Sequence, residues 1–134
     1  MTTETDHARD NAHAWAQTIA DMVRALETCE DRDGADAAME AIQEAPLSVE
    51  VRSGWHDPVR VPVAVEYQIL LSYGGPSLRI IGQLDGYAQP ETAALEYQDW
   101  GTPWTRYHPP LAEPLFDSHN ADVLTFAQQF YFGE

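Results

Sequence analysis

Val65-Glu66-Tyr67-Gln68-Ile69-Leu70-Leu71-Ser72-Tyr73-Gly74-Gly75-Pro76-Ser77-Leu78-Arg79-Ile80-Ile81-Gly82-Gln83-Leu84 is the stretch that decides the fold. Val65, Tyr67, Ile69, Leu71 and Tyr73 alternate with Glu66, Gln68, Leu70 and Ser72, and Leu78, Ile80 and Leu84 share one face of the next run. A period of two describes strands with one buried and one solvated face. Gly74-Gly75-Pro76 is short enough for a tight hairpin, so the two runs pair antiparallel.

The same period extends outward. Upstream, Leu47, Val49 and Val51 alternate with Ser48, Glu50 and Arg52; downstream, Asp85-Gly86 opens a longer connection to a run with Ala93, Leu95 and Tyr97 on one face. The face turned from the core then carries Glu50, Arg52, Gln68, Ser72, Arg79, Gln83, Glu96 and Gln98. A wet sheet face is ordinary in a small α+β domain, and it is also a place where a partner can bind. Trp55 to Pro62, with two prolines, reads as a mobile loop. Pro103, Pro109, Pro110 and Pro114 make the stretch after Trp100 an irregular, extended connection.

Before the strands the period is helical. Trp15, Ile19, Met22, Val23 and Leu26 recur on one helix face, with Asn11 as N-cap and Gly34 as a stop. A second helix, capped by Asp36 or Asp33, turns Met39 and Ile42 inward and ends at Pro46. A last helix runs from Asn120 to Phe132, with Gly133 at its end. The expected fold is α+β: two N-terminal helices, a four-stranded antiparallel meander and a C-terminal helix, with the helices on one sheet face. Residues 1–10 form a flexible tail and residues 11–134 a single domain.

Charge narrows the partners. The 134 residues hold 22 Asp and Glu against seven Arg and no Lys, a formal net charge of −15. Four Trp, six Tyr and four Phe mark a folded domain rather than an acidic tail. So negative a chain favours basic surfaces and opposes direct contact with nucleic acid or an anionic membrane. The missing lysines exclude Schiff-base chemistry and a phosphate-cradling P-loop. One cysteine, Cys29, allows no internal disulfide, and the acidic start of the chain has no leader-peptide pattern, so a cytoplasmic location is expected.

No motif for catalysis or for a cofactor stands out. From Cys29 to Glu40, Asp31, Asp33, Gly34 and Glu40 fall on calcium-loop positions. A thiol stands where the first ligand belongs, however, so no metal is expected. The five histidines form no i, i+4 pair, and there is no G-x-S-x-G. Cys29 lies among Glu27, Glu30, Asp31 and Asp33, which argues against a catalytic thiolate. The chain therefore reads as a binding protein, with no catalytic residue and no cofactor.

Two features remain as candidate contacts. Glu30, Asp31, Asp33, Asp36 and Glu40 belong to a run, Glu27 to Glu44, with seven acids and one Arg. Asp99-Trp100-Gly101-Thr102-Pro103-Trp104-Thr105-Arg106-Tyr107 is rich in residue types found at binding hot spots, and offers Trp100 or Trp104 as an aromatic anchor. Plugging one end of the core is the alternative role for those indoles.

Leu47 to Trp55, Tyr97 to Trp104 and the ending Phe130-Tyr131-Phe132-Gly133-Glu134 resemble a group of small acidic proteins from phages and prophages of proteobacteria. The similarity covers most of the chain, from the first helix to the C-terminus. It brings no established activity or site. It implies a setting, because accessory phage genes often encode small acidic inhibitors of host defence, anti-CRISPR and anti-restriction proteins among them.

The leading expectation is thus a non-enzymatic, phage-type inhibitor acting in the bacterial cytoplasm. Its carboxylates would substitute for phosphates against a basic, nucleic-acid-handling surface such as that of a defence nucleoprotein complex. The alternative is an accessory, immunity or assembly module that binds through the polar sheet face or an aromatic groove. A small enzyme with a carboxylate pair comes third, and requires convergent buried acids. An unpaired strand edge could support a dimer, but the sequence specifies none.

Overall fold

The computed structural model describes residues 4–59, 63–74, 76–99, 103–111 and 115–132. In chain order the elements are α1 (Glu4–Thr28), α2 (Arg32–Glu44), β1 (Ser48–Ser53), β2 (Ala64–Ser72), β3 (Ser77–Gln83), β4 (Ala94–Gln98), β5 (Thr105–Arg106) and α3 (Leu115–Ala127). The strands form one antiparallel meander, β1-β2-β3-β4-β5. α1 lies against β3 and β4, α3 against α1 and β4, and α2 against α1. The α+β class and the helix-covered sheet are as the sequence predicts, with one strand more.

Alternation holds through the sheet. Tyr67, Ile69 and Leu71 of β2, Leu78 and Ile80 of β3, and Leu95 and Tyr97 of β4 join Ile19, Val23, Val123 and Phe126 in one core. Gln68, Arg79 and Glu96 face the other way and stay partly exposed. The β2–β3 connection includes Gly74 at φ 115°, a conformation glycine adopts at little cost. Gly82 is required for a different reason: a Cβ there would lie 1.9 Å from the carbonyl oxygen of Thr92. That oxygen also accepts from the Tyr67 hydroxyl at 2.6 Å, which fixes the β3–β4 loop over the end of the core.

β5 was not expected. Thr105 and Arg106 pair with Tyr97 and Glu96 inside the stretch that the prolines mark as irregular. Two residues carry no periodicity, so only the pairing reveals them.

The helix boundaries also differ. α1 begins at Glu4, so most of the expected tail is helical and Asn11 is not its cap. Ala8, Ala12 and Ala16 are fully or nearly fully buried and continue the stripe of Ile19 and Val23, whereas Trp15, Met22 and Leu26 are half-buried. Alanine lets the helix approach closely without adding an apolar signal that stands out in sequence. The break between α1 and α2 falls at Cys29–Asp31, not at Gly34. Asp31 is extended (φ −134°, ψ 172°), and its carboxylate accepts from the Gly34 N–H at 2.7 Å, so Asp31 is the N-cap rather than Asp33 or Asp36. α3 starts and stops five residues earlier than expected, at Leu115 and Ala127. Gln129 and Phe130 donate to carbonyls three residues back, a tightened turn that ends the helix before Phe132 packs on Tyr67. Gly133 lies outside the described residues.

Candidate functional site

The electrostatic candidates do come together. Glu30 stands exposed between α1 and α2, and Asp31 opens α2. Asp33, Asp36, Glu40 and Glu44 follow at i, i+3, i+7 and i+11, on the side of α2 opposite the buried Ala38 and Ile42. All four are exposed, and none joins an ion pair among the described residues. Asp31 differs from the rest because one of its oxygens is engaged in capping. From Arg32 to Glu40 the chain is helix, so these acids line a rod and do not wrap a calcium loop.

The aromatic candidates fall elsewhere. Trp104 is half-buried over the outer sheet face, with the Arg79 guanidinium carbon 4.1 Å from its ring centroid. Arg79 Nε donates to Glu96 at 2.9 Å and Nη1 to the Gln68 side-chain oxygen at 2.9 Å. Gln68 in turn donates to Glu50 at 3.3 Å, and Arg52 pairs with Glu66. Trp104 thus neither plugs the core nor joins the α2 stripe. It shields one charge-assisted network, on the side of the sheet away from the helices. Trp100 lies outside the described residues.

That outer face is electrically balanced. The register sets Glu96 against Arg79 on one side and Arg106 on the other, and Arg52 against Glu66. Beside them runs an open groove of about 310 Å³ whose lining includes Glu50, Arg52, Glu66, Gln68, Arg79 and Ile81. The first 46 residues, by contrast, carry 11 of the 22 acids and only three of the seven arginines. Charge is segregated: negative on the helical layer, neutral on the sheet.

One polar cluster was missed in sequence. His119, which lies just before the helix expected from Asn120, is 4 % exposed inside α3 and meets the Tyr107 ring edge-on, with centroids 5.3 Å apart. Burial pulls its pKa down to about 4, the nearby Asp122 opposing that shift and His108 adding to it. His119 Nδ1 and Asp122 Oδ2 are buried with no hydrogen-bond partner among the described residues. His13 also meets Tyr107, its Nδ1 hydrogen-bonding with the phenol oxygen. The Gln17 amide reaches His13 Nε2 at 3.2 Å. Placing α3 five residues earlier would have put His119 and Asp122 at i, i+3 and exposed the signal. Among the described residues no three His, Cys, Asp or Glu converge as metal ligands. No helix among them is long and apolar enough to cross a membrane.

Compared with known proteins, the chain matches no family model, no curated protein and no solved structure, so these comparisons do not bear on the resemblance to phage proteins.

Proposed function

We propose that this chain is a non-enzymatic binding protein. The acidic side of α2 and the α1–α2 corner would meet a basic, nucleic-acid-handling surface, and the resemblance to phage proteins suggests inhibition of a bacterial defence complex as the setting. The observation that carries the reading is the segregation of charge. Asp33, Asp36, Glu40 and Glu44 form an exposed stripe that joins no ion pair among the described residues, with Arg32 the one basic residue of its helix, while Arg52 and Arg79 of the outer face pair with carboxylates. A row of carboxylates on a rigid helix offers a partner's Arg and Lys side chains what a phosphate backbone offers, and steers encounter at long range. Trp104 is on the other side of the sheet, so the interaction depends on electrostatics more heavily than an aromatic anchor would allow.

The test uses the tagged full chain to capture its partner from host lysate, in parallel with the variant Asp33→Asn/Asp36→Asn/Glu40→Gln/Glu44→Gln. Asp31 is left intact because it caps the helix. Recovery of a nucleoprotein complex by the wild type, its loss at high salt, and an association rate lowered at least about tenfold in the variant are expected. Capture indifferent to both salt and the four substitutions sinks the reading.

The groove beside Arg79 favours a second reading, an accessory or assembly module that binds through the outer sheet face. Partner identity separates the two: co-purification with a neighbouring phage or toxin product, resistant to the α2 substitutions, supports the second.

A further inference from the structure

β1 is an edge strand of the sheet. Leu84 N–H donates to the Val65 carbonyl and Leu47 N–H to the Leu70 carbonyl. In an antiparallel ladder these directions alternate along the strand, so Glu66, Gln68 and Leu70 turn their backbone groups toward β1. Their register partners Arg52, Glu50 and Ser48 answer from β1. Val49 and Val51 therefore aim their N–H and C=O groups out of the sheet edge. Their side chains, opposite Ile69 and Tyr67, lie on the helix side of the sheet, yet α1 and α3 pack over β3 and β4. Val49 is 38 % exposed, Val51 49 %, and the flanking Leu47 and Trp55 more so. Three of the usual guards of such an edge, Lys, Pro and an inward-pointing charge, are missing from residues 48–53, and the shift in the β1–β2 register comes only at its end, between Arg52 and Ser53.

We infer that β1 is the docking edge for a second copy of this chain, the two strands pairing antiparallel about Val51. Backbone direction and cross-strand charge together select the register. The outward backbone groups belong to Val49 and Val51, so the pairs that exchange hydrogen bonds join odd-numbered residues to odd-numbered residues. Centring on Glu50 sets Glu50 against Glu50, and centring on Arg52 sets Arg52 against Arg52, both repulsive. Centring on Val51 sets Val51 against Val51, Val49 against Ser53, and Glu50 against Arg52 of the second copy, twice over. The short strand is thus complementary to itself in charge, hydrogen bonding and apolar face. Residues 48–53 carry one Glu and one Arg, a neutral seam in a chain of net charge −15. Leu47 of each copy is carried toward Trp55 of the other, which continues the apolar strip along the helix side of the joined sheets. Six residues from each copy make a short seam, so a weak, concentration-dependent dimer is expected.

The test needs only the purified full chain, so it succeeds or fails independently of the proposed partner. Sedimentation equilibrium from about 10 to about 300 μM protein should show the mass rising toward twice that of the monomer. Glu50→Arg places Arg against Arg across the seam, and Arg52→Glu places Glu against Glu. Each variant alone should remain monomeric, with its circular dichroism unchanged. Mixed in equal amounts, they restore both opposite-charge pairs and should associate as the wild type does. Val51→Pro, which deletes an outward N–H that β2 does not use, gives a second route to a folded monomer. A wild type that stays monomeric throughout, single reversals that still associate, or a mixture of folded variants that does not, each overturns the inference.

Discussion

His119 sits beside Tyr107 and Asp122 with almost no exposed surface, and that placement couples the stability of the fold to pH. In the unfolded chain the imidazole takes a proton near pH 6.5; in the fold, burial holds that back to about 4. Between those values the unfolded state binds more protons, so the stability contributed by a neutral buried His119 is fully present above about pH 6.5. It is lost progressively as the pH falls toward 4. Acidification also neutralises carboxylates and relieves self-repulsion in a chain of net charge −15, which acts the other way. A variant separates the two effects. His119→Gln keeps every other titrating group, so the repulsion is relieved equally in both proteins. Urea unfolding at pH 7 and pH 4.5 should show the wild type losing on the order of 2 kcal/mol more than the variant. Equal losses would mean that the imidazole takes up its proton in the fold as readily as in the unfolded chain.

At the scale of the element, α2 shows that one residue can serve both fold and surface. Asp31 caps the helix, Asp33 lies in its first turn where the dipole favours negative charge, and no basic residue occupies its last turn. The acidic stripe is therefore favourable at its start and unfavourable at its end. Asp31→Ala should cost about 1 kcal/mol in chemical unfolding, while Glu44→Gln should be neutral or stabilise by a few tenths. A larger cost for Glu44→Gln than for Asp31→Ala would contradict the capping geometry. The acids of this helix were legible in sequence because charge needs no periodicity to be counted, and the four longer strands because their alternation runs five residues or more. Trp104 was not, since its place over Arg79 depends on β5, a two-residue strand with no pattern of its own. The start of α1 was hidden by alanines, and the His119–Asp122 pair by a helix placed five residues late. What escaped was set by pairing and close approach, which join residues far apart in the chain.

Across the whole molecule, the separation of a negative helical layer from a neutral sheet face gives salt opposite effects on folding and on partner binding. The Arg52–Glu66 pair is well exposed and adds little to stability; Arg79–Glu96, with side chains 21 % and 16 % exposed and an indole above, is partly protected from screening. Salt therefore removes little attraction from the sheet. In the helical layer the like charges of α1 and α2 repel through solvent, where screening is most effective: the Debye length falls from about 30 Å at 0.01 M to about 3 Å at 1 M. Raising NaCl across that range at pH 7 should raise the thermal midpoint of the isolated chain by several degrees, as followed by circular dichroism. In the variant Asp33→Asn/Asp36→Asn/Glu40→Gln/Glu44→Gln, which removes four of the repelling charges, the increase should be visibly smaller. Binding to a basic partner should weaken over the same range, since the attraction being screened is then intermolecular. A midpoint that falls with salt would show the sheet's ion pairs outweighing the repulsion, and the acidic layer would lose its standing as an unneutralised surface.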